Sequence, residues 1–77
     1  MALQKAGRYQ ESIDSFQQAL RLKPTQFDTY SSLTNSYVLS QQPQKAIATM
    51  ERAIETARAS GDAAHAEKFA AWLKINR

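Results

Sequence analysis

The sequence predicts an all-α protein built from antiparallel helical hairpins. One stripe of apolar residues at the spacing i, i+3, i+4 and i+7 consists of Tyr30, Leu33, Thr34 and Tyr37. A second stripe consists of Ala46, Ile47, Met50, Ala53, Ile54 and Ala57. Such spacing marks the buried face of an amphipathic helix. The link between the stripes, residues 40–43, is so short that the two helices must lie side by side and antiparallel.

Composition supports this fold class and limits the classes of function. The 77 residues include two Gly and two Pro and are rich in strong helix formers, as in a chain that is nearly all helix. Cysteine is absent, which removes disulfides and thiolate metal sites. The longest apolar runs fall short of the roughly 20 residues that a membrane span needs, and no signal-peptide core is present. We therefore expect a soluble protein, with the compartment open and the cytoplasm slightly favoured.

The hairpin pattern recurs along the chain. At a shift of about 34 residues, an earlier stripe falls on the second stripe of the hairpin. The matching pairs are Ile13 with Ile47, Phe16 with Met50, Ala19 with Ala53 and Leu20 with Ile54. These pairs keep apolar character and rough size, so the sequence contains an internal repeat.

The repeated residues resemble the tetratricopeptide repeat family. Its pattern, W-x2-L-G-x2-Y followed by A-x3-F and P, is matched by Tyr30-x2-Leu33-Thr34-x2-Tyr37 and then Ala46-x3-Met50. The preceding partial repeat supplies Gly7-Arg8-Tyr9, Ser12-x3-Phe16, Ala19 and Pro24. The departures are Thr34 in place of Gly, Met50 in place of Phe, Pro43 in place of an aromatic residue and Arg58 in place of Pro.

The resemblance implies a short right-handed solenoid fragment that forms a single domain, residues 1–77. Residues 27–60 form a complete repeat, and residues 1–26 form the C-terminal part of a preceding repeat. Residues 61–77 form either a capping helix or the start of a further repeat. Because the repeat shift places the first residues in the middle of a repeat, we expect the chain to be a piece of a longer protein.

Local signals predict where each helix begins and ends. Residues 1–6 are the end of one helix, and Gly7 is expected to form the turn that closes the first hairpin. The next helix, residues 8–22, ends before Pro24, which cannot continue the hydrogen-bond ladder. The central helices span residues 27–40 and 43–60, with Pro43 at the first position, where a helix tolerates proline.

Gly61 and Asp62 predict the last helix boundary, since Gly ends helices and Asp caps their N-termini. The following helix, residues 63–76, carries a stripe of Ala66, Phe69, Ala70 and Leu73. This stripe matches that of the helix 27–40 when two extra residues are allowed at the junction.

The sequence argues against an enzyme and against a bound cofactor or metal. His65 is the only histidine, and metal sites need three or four convergent donors. We therefore expect His65 to be a solvent-facing structural residue. The serines and threonines lack a partner base, a nucleophile elbow and a phosphate-binding loop.

The partner-binding candidates lie on the helix 27–40. In the family, the first helix of each repeat lines a concave wall that takes up an extended or helical peptide. An angle of about 100° per residue places five residues beside the core stripe. They are Asp28, Ser31, Asn35, Val38 and Leu39. Asn35 is the central candidate because an amide both donates and accepts hydrogen bonds, although a solvated helix Asn is an equally good interpretation.

The leading hypothesis is a non-catalytic module for protein–protein interaction, with two alternatives. The chain could self-associate through apolar residues at its two ends, which are Leu3, Ile13, Phe16, Trp72 and Ile75. It could also be a basic helical binder of nucleic acid, given a net charge of +3. The nucleic-acid alternative has less support, because ten basic residues are scattered among seven acidic ones.

Overall fold

Four helices follow one another in the structure, a computed structural model that describes residues 2–76, with side chains described from Arg8 to Asn76. They are α1 (Ala2–Leu22), α2 (Phe27–Leu39), α3 (Pro43–Ala59) and α4 (Ala63–Asn76). Each helix packs mainly on its neighbours in the chain, α1 on α2, α2 on α3 and α3 on α4. The result is a flat slab of 41 × 29 × 15 Å. The predicted all-α fold of stacked hairpins is confirmed.

The last three helices begin at the predicted residues and end within one residue of the predicted ends. The sequence predicts that α2 ends at Ser40 and α3 at Ser60, and both serines are instead the caps that follow the helices. Each cap N–H still bonds back to a helix carbonyl, at 3.0 Å to Ser36 and to Thr56 respectively. The spacing of apolar residues and the turn chemistry therefore place these elements well.

The prediction of a turn at Gly7 is wrong. α1 is one continuous helix that runs through Gly7 and joins the two segments that the sequence analysis separated. Glycine inside a helix costs only about 1 kcal/mol relative to alanine. The neighbouring residues 2–6 and 8–12 are mostly good helix formers, so their combined preference outweighs the single glycine.

The core is one seam shared by all four helices. α1 contributes Ile13 and Leu20, which lie buried against the stripe of α2. The remaining buried apolar residues are Tyr30, Leu33, Tyr37, Ala46, Met50, Ala53, Ile54, Ala57, Ala66, Phe69 and Leu73. The four alanines in this set leave the backbones of α3 and α4 room to approach their neighbours.

The two junctions that flank α3 have the same backbone geometry. After α2, Gln41 has a φ of 63°, and after α3, Gly61 has a φ of 75°. In both, the next N–H bonds to a carbonyl five residues back, Gln42 to Tyr37 at 2.7 Å and Asp62 to Ala57 at 2.8 Å. This is the Schellman arrangement, which satisfies the last carbonyls of a helix.

Candidate functional site

A groove of about 300 Å³ lies between α2 and α4. α2 supplies one wall with Ser31, Asn35 and Val38, and α4 supplies the other wall with Lys68, Trp72 and Asn76. The floor consists of Thr34, Met50 and Phe69. α2 and α4 are not consecutive in the chain, because α3 lies between them in sequence and supports both from below.

Aromatic contacts at the N-terminal ends of α2 and α4 hold the two walls together. The Phe27 ring stacks on the imidazole of His65 with 4.7 Å between ring centroids. Phe27 also contacts Phe69 and Tyr30, at centroid distances of 6.2 and 6.3 Å. His65 faces solvent only in part: 39% of its side chain is exposed, and this cluster covers the rest. Stacking removes part of the imidazole surface from water, which favours this contact.

Asp62 fixes the start of α4. Its Oδ1 accepts a hydrogen bond from the backbone N–H of His65 at 3.1 Å, as expected of a helix cap. Its Oδ2 lies 2.7 Å from Nδ1 of the same residue. The backbone hydrogen bond first, and the side-chain bond second, hold the pKa of Asp62 below its ordinary value. One carboxylate thus caps α4 and orients the imidazole that stacks on α2.

The floor of the groove is apolar apart from one hydroxyl. Met50 and Phe69 are almost completely buried, and Thr34 is 1% exposed. The Thr34 hydroxyl has no hydrogen-bond partner among the described residues. A buried polar group without a partner lowers stability, and the family pattern has glycine at this position, where no hydroxyl arises.

The walls carry polar groups that can reach a ligand. Asn35 is exposed, and its side chain makes no hydrogen bond to any other described residue. Asn76 donates from Nδ2 to the Trp72 carbonyl at 2.8 Å, which leaves its own side-chain oxygen to accept a bond. Lys68 supplies the single charged side chain among the described residues that line the groove. The site therefore combines amide groups, one cation and the half-buried indole of Trp72.

Three of the five predicted partner-binding residues lie together in this groove. They are Ser31, Asn35 and Val38, while Asp28 and Leu39 are exposed on α2 outside its lining. The wall on α4 was not predicted. Its three residues recur at i, i+4 and i+8 beside the apolar stripe, which is the one sequence signal that points to a second face. The sequence alone does not tell that this face turns toward α2.

The residues predicted for self-association differ in exposure. Leu3 lies outside the residues whose side chains are described. Ile13 is 3% exposed because α2 covers it, which corrects the expectation that it lies on an open surface. Phe16 and Trp72 are half-buried, and Ile75 is 82% exposed.

The part of the chain that the structure describes contains neither a metal-binding cluster nor a membrane-spanning helix. Among residues 2–76, no three His, Cys, Asp or Glu side chains come together as a metal site would require. Over the same described range, none of the helices combines the length and the apolar character needed to cross a bilayer.

Comparisons with known proteins identify a family. The sequence profile described as the tetratricopeptide repeat matches residues 3–72. Comparison with curated proteins and comparison with solved structures each gave no match.

Proposed function

We propose, from the premise that this chain belongs to the tetratricopeptide repeat family, that it binds a peptide segment of a partner protein between α2 and α4. Repeats of this family generally mediate protein–protein interaction and are typically non-catalytic. Membership of the family supports this class of function, and the groove between α2 and α4 supports this choice of surface.

One observation carries the proposal: the groove joins apolar surface to polar groups on both walls that can still form hydrogen bonds. The accessible apolar surface comes from Val38, which is 46% exposed, and from the half-buried Trp72, above a floor in which Met50 and Phe69 are almost completely buried. Asn35 and Asn76 stand on opposite walls. Apolar concave sites with a few placed polar groups are the usual form of ligand sites.

The groove favours an extended peptide with an apolar and an acidic side chain. The amides of Asn35 and Asn76 can bond the peptide backbone whatever its side chains are, as in other modes of peptide recognition. The indole of Trp72 offers a large rigid surface for an apolar side chain, and aromatic residues of this kind dominate binding energies. Lys68 places a positive charge beside them and favours a carboxylate.

The test starts from a library of random peptides displayed on phage and selected on the immobilised 77-residue chain. The enriched peptides are then synthesised and titrated against the wild type, Asn35→Ala and Lys68→Glu by calorimetry. We expect each variant to weaken binding by about tenfold or more, the effect of losing roughly 1.4 kcal/mol. Selected peptides should also be enriched in acidic residues.

Gln44→Ala is the matched control, since Gln44 is an exposed amide on α3 outside the groove. It should leave the affinity unchanged. Equal affinities for the wild type, Asn35→Ala and Lys68→Glu would reject this groove as the binding surface. Because both residues are exposed, circular dichroism should show all variants folded.

A further inference from the structure

The internal repeat gives each helix a counterpart. At a shift of about 34 residues α1 corresponds to α3, and with two more residues α2 corresponds to α4. α2 and α4 are thus first helices of a hairpin, and α1 and α3 are second helices. The described chain contains one complete hairpin, in which α2 packs on α3.

α1 has a face that is open where the same face of α3 is covered. Three residues of α3 are buried in the complete hairpin: Ala46, Met50 and Ala53. Their counterparts in α1 are only half-buried: Ser12, Phe16 and Ala19. Leu22 is 83% exposed, whereas its counterpart Thr56 is half-buried with its hydroxyl 3.4 Å from that of Tyr30. The open face of α1 is therefore one that a first helix covers.

α4 has the complementary open face. A depression of about 430 Å³ lies between α3 and α4, with Ile54, Ala70 and Leu73 inside a charged rim. The corresponding depression over α1 and α2 has a volume of only about 190 Å³, because Thr49 and Arg52 of α3 close it. Among the described residues, no side chain plays that role at α4. Ala70 is accordingly half-buried, whereas its counterpart Thr34 is buried.

We propose that α1 of a second copy of this chain occupies the groove between α3 and α4. Among the described residues, α4 is a first helix with an open face and α1 is a second helix with an open face. The α2–α3 hairpin is the template for their contact. In the α2–α3 hairpin, Tyr30 meets Thr56. In the proposed contact the corresponding pair is Ala66 and Leu22. The smaller Ala66 takes the place of Tyr30 and the larger Leu22 takes the place of Thr56, so the two changes in side-chain size compensate. An apolar pair also replaces two hydroxyls at this point, so no polar group is left without a partner.

Charges at the contact are compatible. The residues of α1 that correspond to Thr49 and Arg52 are Ser15 and Gln18, which are both exposed and uncharged. They would face the rim of the α3–α4 groove, where Glu55 stands. Hydroxyl and amide groups donate hydrogen bonds to a carboxylate, and no like charges oppose each other at these positions.

The proposed contact is heterologous, since each copy uses one surface to bind and a different surface to be bound. Such contacts build open chains of copies unless the rotation closes a ring. Each contact completes one further hairpin, α4 of one copy with α1 of the next, so that the hairpins continue as one stack. The inference is independent of the proposed peptide groove, which lies on the other side of α4.

The test is sedimentation velocity of the 77-residue chain over a wide range of concentration. The wild type should rise above the 8.6 kDa mass of one copy and keep rising without a plateau. Leu22→Glu blocks the face of α1, and Ala70→Arg blocks the groove at α4. Every contact needs both surfaces, so each variant alone should stay at the mass of one copy. Equal mixing of the two variants restores one unblocked α1 and one unblocked α4, so a complex of two chains should form.

The mixture separates this contact from its alternatives. A symmetric dimer through either face would survive in one of the two single variants, and that result overturns the proposal. A wild type that stays at the mass of one copy at all concentrations also overturns it and assigns the faces to other segments. Ala48→Arg, at an exposed position of α3 outside both grooves, should associate like the wild type, and circular dichroism should show each variant helical.

Discussion

α2 and α4 each carry an apolar stripe with the same spacing. α2 nevertheless packs between two helices, while α4 packs mainly on one. The difference appears at matched positions. Thr34 of α2 is buried and its counterpart Ala70 of α4 is half-buried. Within the described residues, α2 is therefore covered by two helices, whereas α4 keeps a partly open face. In repeat proteins each unit contacts only its neighbours, so a helix with one neighbouring helix is less covered than a helix with two.

The junctions before and after α3 share a backbone geometry but differ in the residues that form them. Both need a residue at positive φ, and the sequence has Gln41 at one and Gly61 at the other. Gln42 begins α3 without a side-chain cap bond, whereas Asp62 caps α4 through the N–H of His65. The residues at the α2–α3 junction are thus less suited to its backbone geometry, so this junction depends on packing in the core. The α3–α4 junction is stabilised by its own Gly61 and Asp62.

Core truncation should give the largest contrast between the two helices. We expect Leu33→Ala to lower the free energy of unfolding by about 2 to 5 kcal/mol, since Leu33 is buried between α1 and α3. Leu73→Ala should cost less, toward about 2 kcal/mol, because Leu73 borders the open groove and leaves a smaller closed cavity. Urea unfolding followed by circular dichroism measures both. Equal costs would contradict the difference in packing.

Opposite substitutions at the junctions should have opposite signs. Gln41→Gly should raise the free energy of unfolding by about 1 kcal/mol, because glycine adopts positive φ without the penalty of a Cβ. Gly61→Ala should lower it by a similar amount, about 1 kcal/mol, although a Cβ there meets no atom within 4 Å. Thermal and urea unfolding of both variants would test this. A destabilised Gln41→Gly would show that the side chain of Gln41 matters more than its backbone.

The unpaired hydroxyl of Thr34 should have a smaller effect on the free energy of unfolding. α4 has no such hydroxyl, because its corresponding residue is Ala70. Thr34→Val keeps the shape and removes the hydroxyl, so it should stabilise the chain by up to about 1 kcal/mol. Thr49→Val is the matched control, since the Thr49 hydroxyl donates to the Lys45 carbonyl at 2.8 Å. It should give no gain. A loss of stability in Thr34→Val would mean that the hydroxyl has a bound partner in solution.

The Asp62 cap should give the smallest effect, seen as a pH dependence. Its pKa is lower in the folded chain than its ordinary value, so the carboxylate stabilises the fold above that ordinary value. This contribution is lost as the pH falls through the folded pKa, in the range of roughly 4 and below. Asp62→Asn can still cap the helix but does not titrate there. The difference in unfolding free energy between the two proteins should therefore shrink in acid; a constant difference would exclude the cap as its source.

The combination of helical spacing and turn signals predicts α2, α3 and α4, because in them local preference and core packing agree. It fails at Gly7, where a turn signal competes with helix formers on both sides and loses. It also predicts the α2 wall of the groove, since Ser31, Asn35 and Val38 follow from the angle per residue. To predict the α4 wall, one must also know how α4 is rotated about its own axis. That rotation is set by packing between helices, on α3 and through the contact of Phe27 with His65, which no local pattern encodes.

The most direct test of the proposed groove is an amide NMR titration of the isotope-labelled chain with the tightest selected peptide. We expect the largest shift changes at residues 31–38 of α2 and residues 68–76 of α4, and small ones along α1. Changes confined to α1, or to the face of α3 that bears Ala48, would contradict the proposal that the chain binds its partner between α2 and α4.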